Sequence, residues 1–295
     1  MGSTAARRAH ERRAPRRPMT TRRAWRRSSG LPCPEIGGYA VVTGAGTGIG
    51  RGFALELGRR GYGVVVVGRR RDRLEQVADE VAAKGRETLV VQADLRGRDG
   101  VDDVVKRLHS RGGHPQVLVN CAGFGVWGEF ASADLDTQLD QLRVHCEATV
   151  ALTHALAPAM IARRSGAIVN VASSAGLQPV PYLAAYSATK AFVIALTTAL
   201  DGELRQHGVS VTAVSPGPVE TEFGSVSGLA ADREPAPIVS VEDVVRASLT
   251  AAARRRTSVV PGRSMRLALV GAAALPRRVR MAYLARTYRP ERTRS

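Results

Sequence analysis

Apolar residues recur along this chain in two alternating patterns: short, unbroken β-branched runs and longer stretches with helical spacing. The runs Y-A-V-V-T (39–43), V-V-V-V (64–67), T-L-V-V-Q (88–92), V-L-V-N (117–120), A-I-V-N-V (167–171) and V-S-V-T-A-V (209–214) predict strands. Between them the spacing predicts helices over 49–60, 72–84, about 101–109, 135–163 and 186–206. Runs without polar alternation suit strands buried on both faces, and strand–helix alternation of this length requires crossovers between parallel strands. The pattern predicts an α/β fold, a single doubly wound domain with a parallel sheet over about residues 36–262. Residues 1–35 and 263–295 fall outside it and read as basic extensions, the first disordered, with Met19 an alternative start to Met1.

Composition constrains this picture. With 44% hydrophobic residues but only 4% aromatic, the core must be built from Ala, Val, Leu and Ile. Cys33, Cys121 and Cys146 form no C-x-x-C pair, which fits a reducing cytoplasm better than a disulfide-bonded exterior. The net charge of +17 is concentrated at the two ends: residues 1–30 hold ten arginines against Glu11, and a second basic block runs over 254–294. Such tails attract polyanions without specificity, and the central region lacks helix-turn-helix, zinc or RNP patterns, so no specific nucleic-acid partner is expected. The histidines show no metal-ligand spacing. The arginine pairs near the start lack the apolar run that export requires. The run L-A-L-V-G-A-A-A-L at 267–275 is too short to span a bilayer. It reads as a packed or subunit-contact helix, with a peripheral membrane contact through this basic region as the second reading.

Chemistry concentrates at three places. The sequence T-G-A-G-T-G-I-G at 43–50 sits between the first strand and first helix, where Thr43, Gly44, Thr47, Gly48, Ile49 and Gly50 form a loop able to admit a pyrophosphate. At the end of the second strand, where an NAD site usually carries a carboxylate, Gly68 is followed by Arg69, Arg70 and Arg71. Guanidinium forks suit a 2′-phosphate, so NADP(H) is favoured, with Arg69 the main contact and Arg70 beside it; NAD(H) is the alternative, since Asp72 partly neutralises the cluster. Finally, Tyr186 and Lys190 stand at i and i+4 on a predicted helix, one face presenting both phenol and ammonium. A cation beside a phenol draws its pKa down toward the working range of an acid–base catalyst.

With these motifs in order, residues 38–222 resemble the classical short-chain dehydrogenase/reductase family, whose fold is a Rossmann-type domain. The glycine loop is similar to the family's T-G-x-x-x-G-I-G. Asp94 and Leu95 resemble the pair at the adenine. Asn120, Ala122 and Gly123 resemble N-N-A-G, with Cys121 in place of the second Asn. Ser173 lies thirteen residues before Tyr186, the family's spacing, with Ser174 one residue out of register. Pro216, Gly217, Val219 and Thr221 resemble the P-G-x-x-x-T segment over the nicotinamide. The resemblance implies hydride transfer between a cofactor and a carbonyl or secondary alcohol. Tyr186 would be the acid–base group, Ser173 would hold the carbonyl oxygen, and Lys190 would lower the Tyr186 pKa and bind the nicotinamide ribose. One departure is His145, where the family usually has an Asn that helps hold a proton-relay water. It reads either as a hydrogen-bonding replacement or as a titrating relay.

The resemblance also implies a homodimer or homotetramer through the helices bearing Glu147 and Tyr186. The flanking residues Phe124, Val126, Trp127 and 177–183 are mostly apolar, so the small-molecule substrate reads as lipophilic; residues 223–237 would form its loop. Arg143, Arg233 and Arg263 stay open as grips for an acidic group. A cofactor-binding regulator with weakened catalysis is the competing reading, and the intact Ser173, Tyr186 and Lys190 argue against it.

Overall fold

In the computed structural model, which describes residues 30–229 and 238–290, the expected alternation is realised as a seven-stranded, all-parallel sheet. In chain order the elements are β1 (Gly38–Thr43), α1 (Gly48–Arg59), β2 (Gly63–Gly68), α2 (Arg71–Ala82), β3 (Thr88–Gln92), α3 (Arg98–Ser110) and β4 (His114–Asn120). Then come α4 (Leu135–Leu142), a π-helical turn (Arg143–Glu147), α5 (Ala148–Ala162), β5 (Gly166–Val171), α6 (Ala184–Leu204) and β6 (Val209–Val214). The chain continues through α7 (Phe223–Ser227), α8 (Val241–Ala253), β7 (Ser258–Val259), α9 (Arg263–Ala274) and α10 (Arg277–Thr287).

The sheet order is β3-β2-β1-β4-β5-β6-β7, so the winding direction reverses between β1 and β4 and leaves a crevice at their carboxyl ends. Alternate residues of each strand feed two separate cores. Ala40, Val42, Val64, Val66, Val117 and Val119 pack against Phe53 and Leu57 of α1, Leu74 and Val81 of α2, and Leu249 of α8. Tyr39, Val41, Val65, Val67 and Leu118 face Val104 and Leu108 of α3 and Leu152, Leu156 and Met160 of α5. Burial on both faces is why these strands read as unbroken valine runs.

The six expected strands are all present, with β4 starting earlier, at His114. Three features differ from the sequence pattern. Residues 30–35, read as part of a disordered extension, pack on the domain: Leu31 is buried in the core, and Gly30 N–H donates to the Ala253 carbonyl at 2.8 Å. The helix expected over 135–163 is interrupted at Arg143–Glu147, where the extra residue of a π turn shifts the register and brings His145 into the interior. The region beyond 262 forms two helices, α9 and α10, each turning one apolar residue, Met265 or Leu284, inward. The expectations for residues 1–29, for Arg233 and for most of the proposed substrate loop lie outside the described residues.

Candidate active site

The glycine loop closes tightly on its own backbone. A Cβ on Gly50 would stand 2.1 Å from the Gly44 carbonyl oxygen, and one on Gly44, whose φ is +66°, would stand 3.0 Å from Ala122 Cα. Only hydrogen fits at these two positions. Thr43 ties the loop to the neighbouring strand end: its Oγ1 accepts from the N–H groups of Cys121 and Ala122, both at 3.0 Å, and donates to the Val119 carbonyl at 3.3 Å. No side chain caps the first turn of α1, since Thr47 makes no capping bond. Its amides and the glycine cradle together fit a phosphate group.

Beside the loop, the three arginines after β2 have different surroundings. Arg70 pairs with Glu222 at 2.7 Å and reaches Thr47 Oγ1 at 3.5 Å, while Arg71 pairs with Glu75 at 2.8 Å. The exposed Arg69 guanidinium makes no direct ion pair among the described residues, although its charge is felt by Asp94. The Arg70–Glu222 pair also straps the segment after β6 across the cofactor crevice, where Thr221 Cγ2 comes within 3.0 Å of a Cβ position on Gly48. Pro216 and Gly217 are anchored from outside the crevice. The Pro216 carbonyl accepts from Ser174 N–H at 2.8 Å, and Gly217 lies against Met265 of α9. Val219 bridges Val239 in parallel.

Asn120 and Asp94, also expected at the cofactor, have partners within the protein. The Asn120 amide points into a buried network, donating to Asn170 Oδ1 at 2.8 Å and Thr153 Oγ1 at 3.3 Å. Asp94, next to the buried Leu95, accepts from Arg96 at 2.6 Å; Arg96 continues to Asp140, and Asp140 to Arg143. The Arg96 hydrogen bonds hold the Asp94 carboxyl below its usual range. Arg143 is thus bound to Asp140 rather than offered to a substrate.

Lys190 and Tyr186 are both buried, at 5% and 8% exposure, one helical turn apart on α6. The Lys190 ammonium lies 5.7 Å from the Tyr186 ring centroid and donates to the Val171 carbonyl at 3.0 Å. Burial brings its pKa down to about 8, against the opposing pull of Cys121 and Cys146. The same burial pushes the Cys121 thiol up to about 12 and Cys146 up to about 11, so neither is a thiolate at neutral pH. Ser173 follows β5, and the turn after it packs on the Lys190 backbone: a Cβ on Gly176 would stand 2.6 Å from the Lys190 carbonyl carbon. Ser173 Oγ accepts from Ala175 N–H at 3.1 Å, leaving its own hydrogen to donate. Ser174 lies instead in the turn, with its N–H on Pro216.

His145 is 1% exposed, and both of its ring nitrogens are engaged. Nε2 accepts from Phe124 N–H at 3.1 Å. Thr189 Oγ1 gives its hydrogen to the Tyr186 carbonyl at 2.8 Å, so His145 Nδ1, 2.8 Å away, must be the donor to Thr189. The ring is therefore a neutral Nδ1–H tautomer. Burial and then the Lys190 cation hold its pKa well below 6.5. This arrangement fits the hydrogen-bonding replacement rather than the titrating relay. His145→Asn is expected to leave the pH–rate profile unchanged between about pH 6 and 8 while costing about 1–3 kcal/mol of stability. A bend near neutrality present in the native enzyme and lost in this variant would show that His145 does titrate. Thr189, which settles the tautomer, carries no motif that would have marked it.

The phenol faces an apolar wall made by Val180, Leu183, Trp127 and Phe223, with the Tyr186 and Phe223 rings 5.4 Å apart. Tyr288, just after α10, completes it, and its carbonyl accepts from Trp127 Nε1 at 2.8 Å. No local pattern at Tyr288 signals this; α10 carries it there from about a hundred residues downstream of Tyr186.

A nucleotide cradle at a sheet reversal, beside a buried lysine–tyrosine pair, defines a dinucleotide-dependent oxidoreductase. The family model described as short chain dehydrogenase matches residues 38–229, and the chain belongs to that family. It is 36% identical to a very-long-chain 3-oxoacyl-CoA reductase of Anas platyrhynchos over 73% of this chain and 69% of that one. An uncharacterized oxidoreductase of Staphylococcus epidermidis is 35% identical over 62% of this chain and 78% of its own length. Among solved structures, a short-chain dehydrogenase from Sphingobium yanoikuyae in complex with NADPH superimposes with a TM-score of 0.72 at 30% identity. That match covers 81% of this chain and 96% of the other.

Proposed function

We propose that this oxidoreductase interconverts a carbonyl and a secondary alcohol on a lipophilic small molecule, using NADP(H). The observation that carries the reading is the buried Lys190 ammonium, 5.7 Å from the equally buried Tyr186 ring. A cation kept out of water in this way stabilises negative charge developing beside it far more strongly than an exposed one would. When bound, NADPH supplies the hydride that the carbonyl carbon accepts. Ser173 donates its free hydroxyl hydrogen to the carbonyl oxygen and orients it. Tyr186 gives the same oxygen its phenolic proton as charge develops there. Lys190 stabilises the phenolate left behind and holds the nicotinamide ribose; in the alcohol-oxidising direction the phenolate takes the proton back. The glycine loop would hold the pyrophosphate, while Asp94, Leu95, Ala122, Gly123, Val219 and Thr221 would border the rest of the cofactor.

The cofactor preference is supported by the unpaired Arg69 and by the NADPH complex of the Sphingobium relative. Arg69→Ala is expected to weaken NADPH binding about 10- to 100-fold and leave NADH unchanged, as loss of a charge-assisted phosphate contact would. Equal losses for both cofactors, measured by fluorescence titration, would remove Arg69 from the 2′-phosphate.

The lipophilic substrate is supported by the Val180, Leu183, Trp127, Phe223 and Tyr288 wall and by the acyl-CoA reductase relative. Trp127→Ala is expected to raise KM for long-chain ketones about 10-fold or more while moving that for short ones little, since the ring removes a large apolar area from water. Equal effects on both would make the ring a packing residue only. Exposed Leu139, Leu142, Val150 and Phe192 on α4, α5 and α6 support assembly into a homodimer or homotetramer through those helices. The test of the reading as a whole is NADPH consumption with a panel of ketones, abolished by Tyr186→Phe while cofactor binding persists.

A further inference from the structure

Each C-terminal helix carries an outward stripe that this catalysis does not use. Residues 263–290 hold seven arginines and no Asp or Glu. α9 turns Met265 inward, 4% exposed, and α10 turns Leu284 inward, 5% exposed. Those inward contacts fix which stripe of each helix faces out. On α9 the outer stripe is Arg263, Leu267, Val270 and Ala274, with Leu267 and Val270 at 73% and 70% exposure. On α10 it is Arg278, Val279, Tyr283 and Arg286, with Val279 and Tyr283 at 53% and 58%. No carboxylate among the described residues pairs with Arg263, Arg278 or Arg286.

We propose that this outer face of α9 and α10 docks the protein on an anionic phospholipid bilayer. Exposed aliphatic residues interleaved with unpaired guanidiniums match the boundary between acyl chains and acidic headgroups. A second copy of the same face would oppose arginines with arginines. A nucleic acid would satisfy the cations but give Leu267, Val270 and Val279 no apolar partner. No helix among the described residues is long and apolar enough to cross a membrane, so the contact is interfacial. Tyr288, at the end of α10, borders the wall beside Tyr186, so the docked face and the catalytic site share a support. The docking itself does not depend on the substrate proposed above.

The test is co-sedimentation of the full chain with phosphatidylcholine vesicles, with and without phosphatidylserine. The wild type is expected to pellet with the acidic vesicles only. R278Q/R286Q is expected to lower that partition at least about 10-fold, each arginine near the surface being worth about fivefold. L267S/V270S is expected to lower it about 10-fold through lost apolar insertion. Both substitutions lie on the solvent side, and both variants should keep the wild-type melting temperature and oxidoreductase activity. Absence of wild-type binding, or equal binding to neutral vesicles, overturns the proposal. So does wild-type binding by both variants, which would give the attraction to other arginines of the chain. Loss in R278Q/R286Q alone would show electrostatic adsorption without insertion of Leu267 and Val270, and would overturn interfacial docking by this face.

Discussion

Tyr186→Phe is expected to lower the reductive kcat by roughly 10²- to 10⁴-fold, the usual worth of a positioned general acid, and to leave NADPH affinity within about twofold. The substitution removes one oxygen and nothing else. The ring stays in its wall, 5.4 Å from Phe223 and 5.8 Å from His145, so no cavity opens. The Tyr186 carbonyl, which accepts from Thr189, is also untouched. A fall in kcat with KM for the ketone nearly constant would identify an interaction made in the transition state. Retention of more than about a tenth of the native rate would mean that another group delivers the proton.

Lys190→Met is expected to do two opposed things. Methionine matches the aliphatic stem and puts no charge in the interior. An ordinary lysine pKa of 10.5 brought down to about 8 corresponds to roughly 3 kcal/mol spent on keeping the ammonium buried, an order-of-magnitude figure. Against this, the buried Val171 carbonyl loses its donor, at a cost of about 1–3 kcal/mol, so the variant is expected to be at least as stable as the native apo-protein at neutral pH. The reductive kcat should nevertheless fall about 100-fold or more, since nothing then offsets the phenolate charge. The pH dependence has a definite sign. The folded pKa lies below the unfolded one, so the native state pays the full cost below about pH 8. It recovers that cost as pH rises from about 8 toward 10.5. Native stability should therefore contain a component that rises over that window, and Lys190→Met should lack it. If reduction uses the charged lysine as proposed, kcat/KM for NADPH should show an alkaline limb near pH 8 in the native enzyme. Thermal melting across pH together with initial rates checks both. A variant that is less stable at neutral pH would show that the ammonium is better accommodated than its burial implies.

Much of this was legible in the sequence because burial on both faces leaves a simple record. Strands such as V-V-V-V at 64–67 and A-I-V-N-V at 167–171 admit little else, and their alternation with helices of fixed length leaves few topologies. The glycine loop was legible for a related reason: the close approaches at Gly44 and Gly50 tolerate one residue type. β7 was not legible, because a two-residue strand has no periodicity. The π turn was missed because an inserted residue in a helix disturbs the apolar spacing by less than the natural irregularity of that spacing. His145 left two readings open at the level of sequence. The choice between them depends on a hydroxyl from α6 and an amide from the loop after β4, which only folding brings to the two sides of one ring. The apolar wall beside Tyr186 is similar: Trp127 and Phe223 flank recognisable motifs, whereas Tyr288 enters from α10.

The most direct test of a Tyr186-assisted carbonyl reduction is product analysis after incubation with long-chain ketones and NADPH deuterated at its transferable position. The native enzyme should give a secondary alcohol carrying deuterium on the carbinol carbon, and Tyr186→Phe should give almost none while still binding the cofactor. Deuterated alcohol formed equally by both proteins, or NADPH bound by the native enzyme with no ketone in the panel reduced, would contradict it.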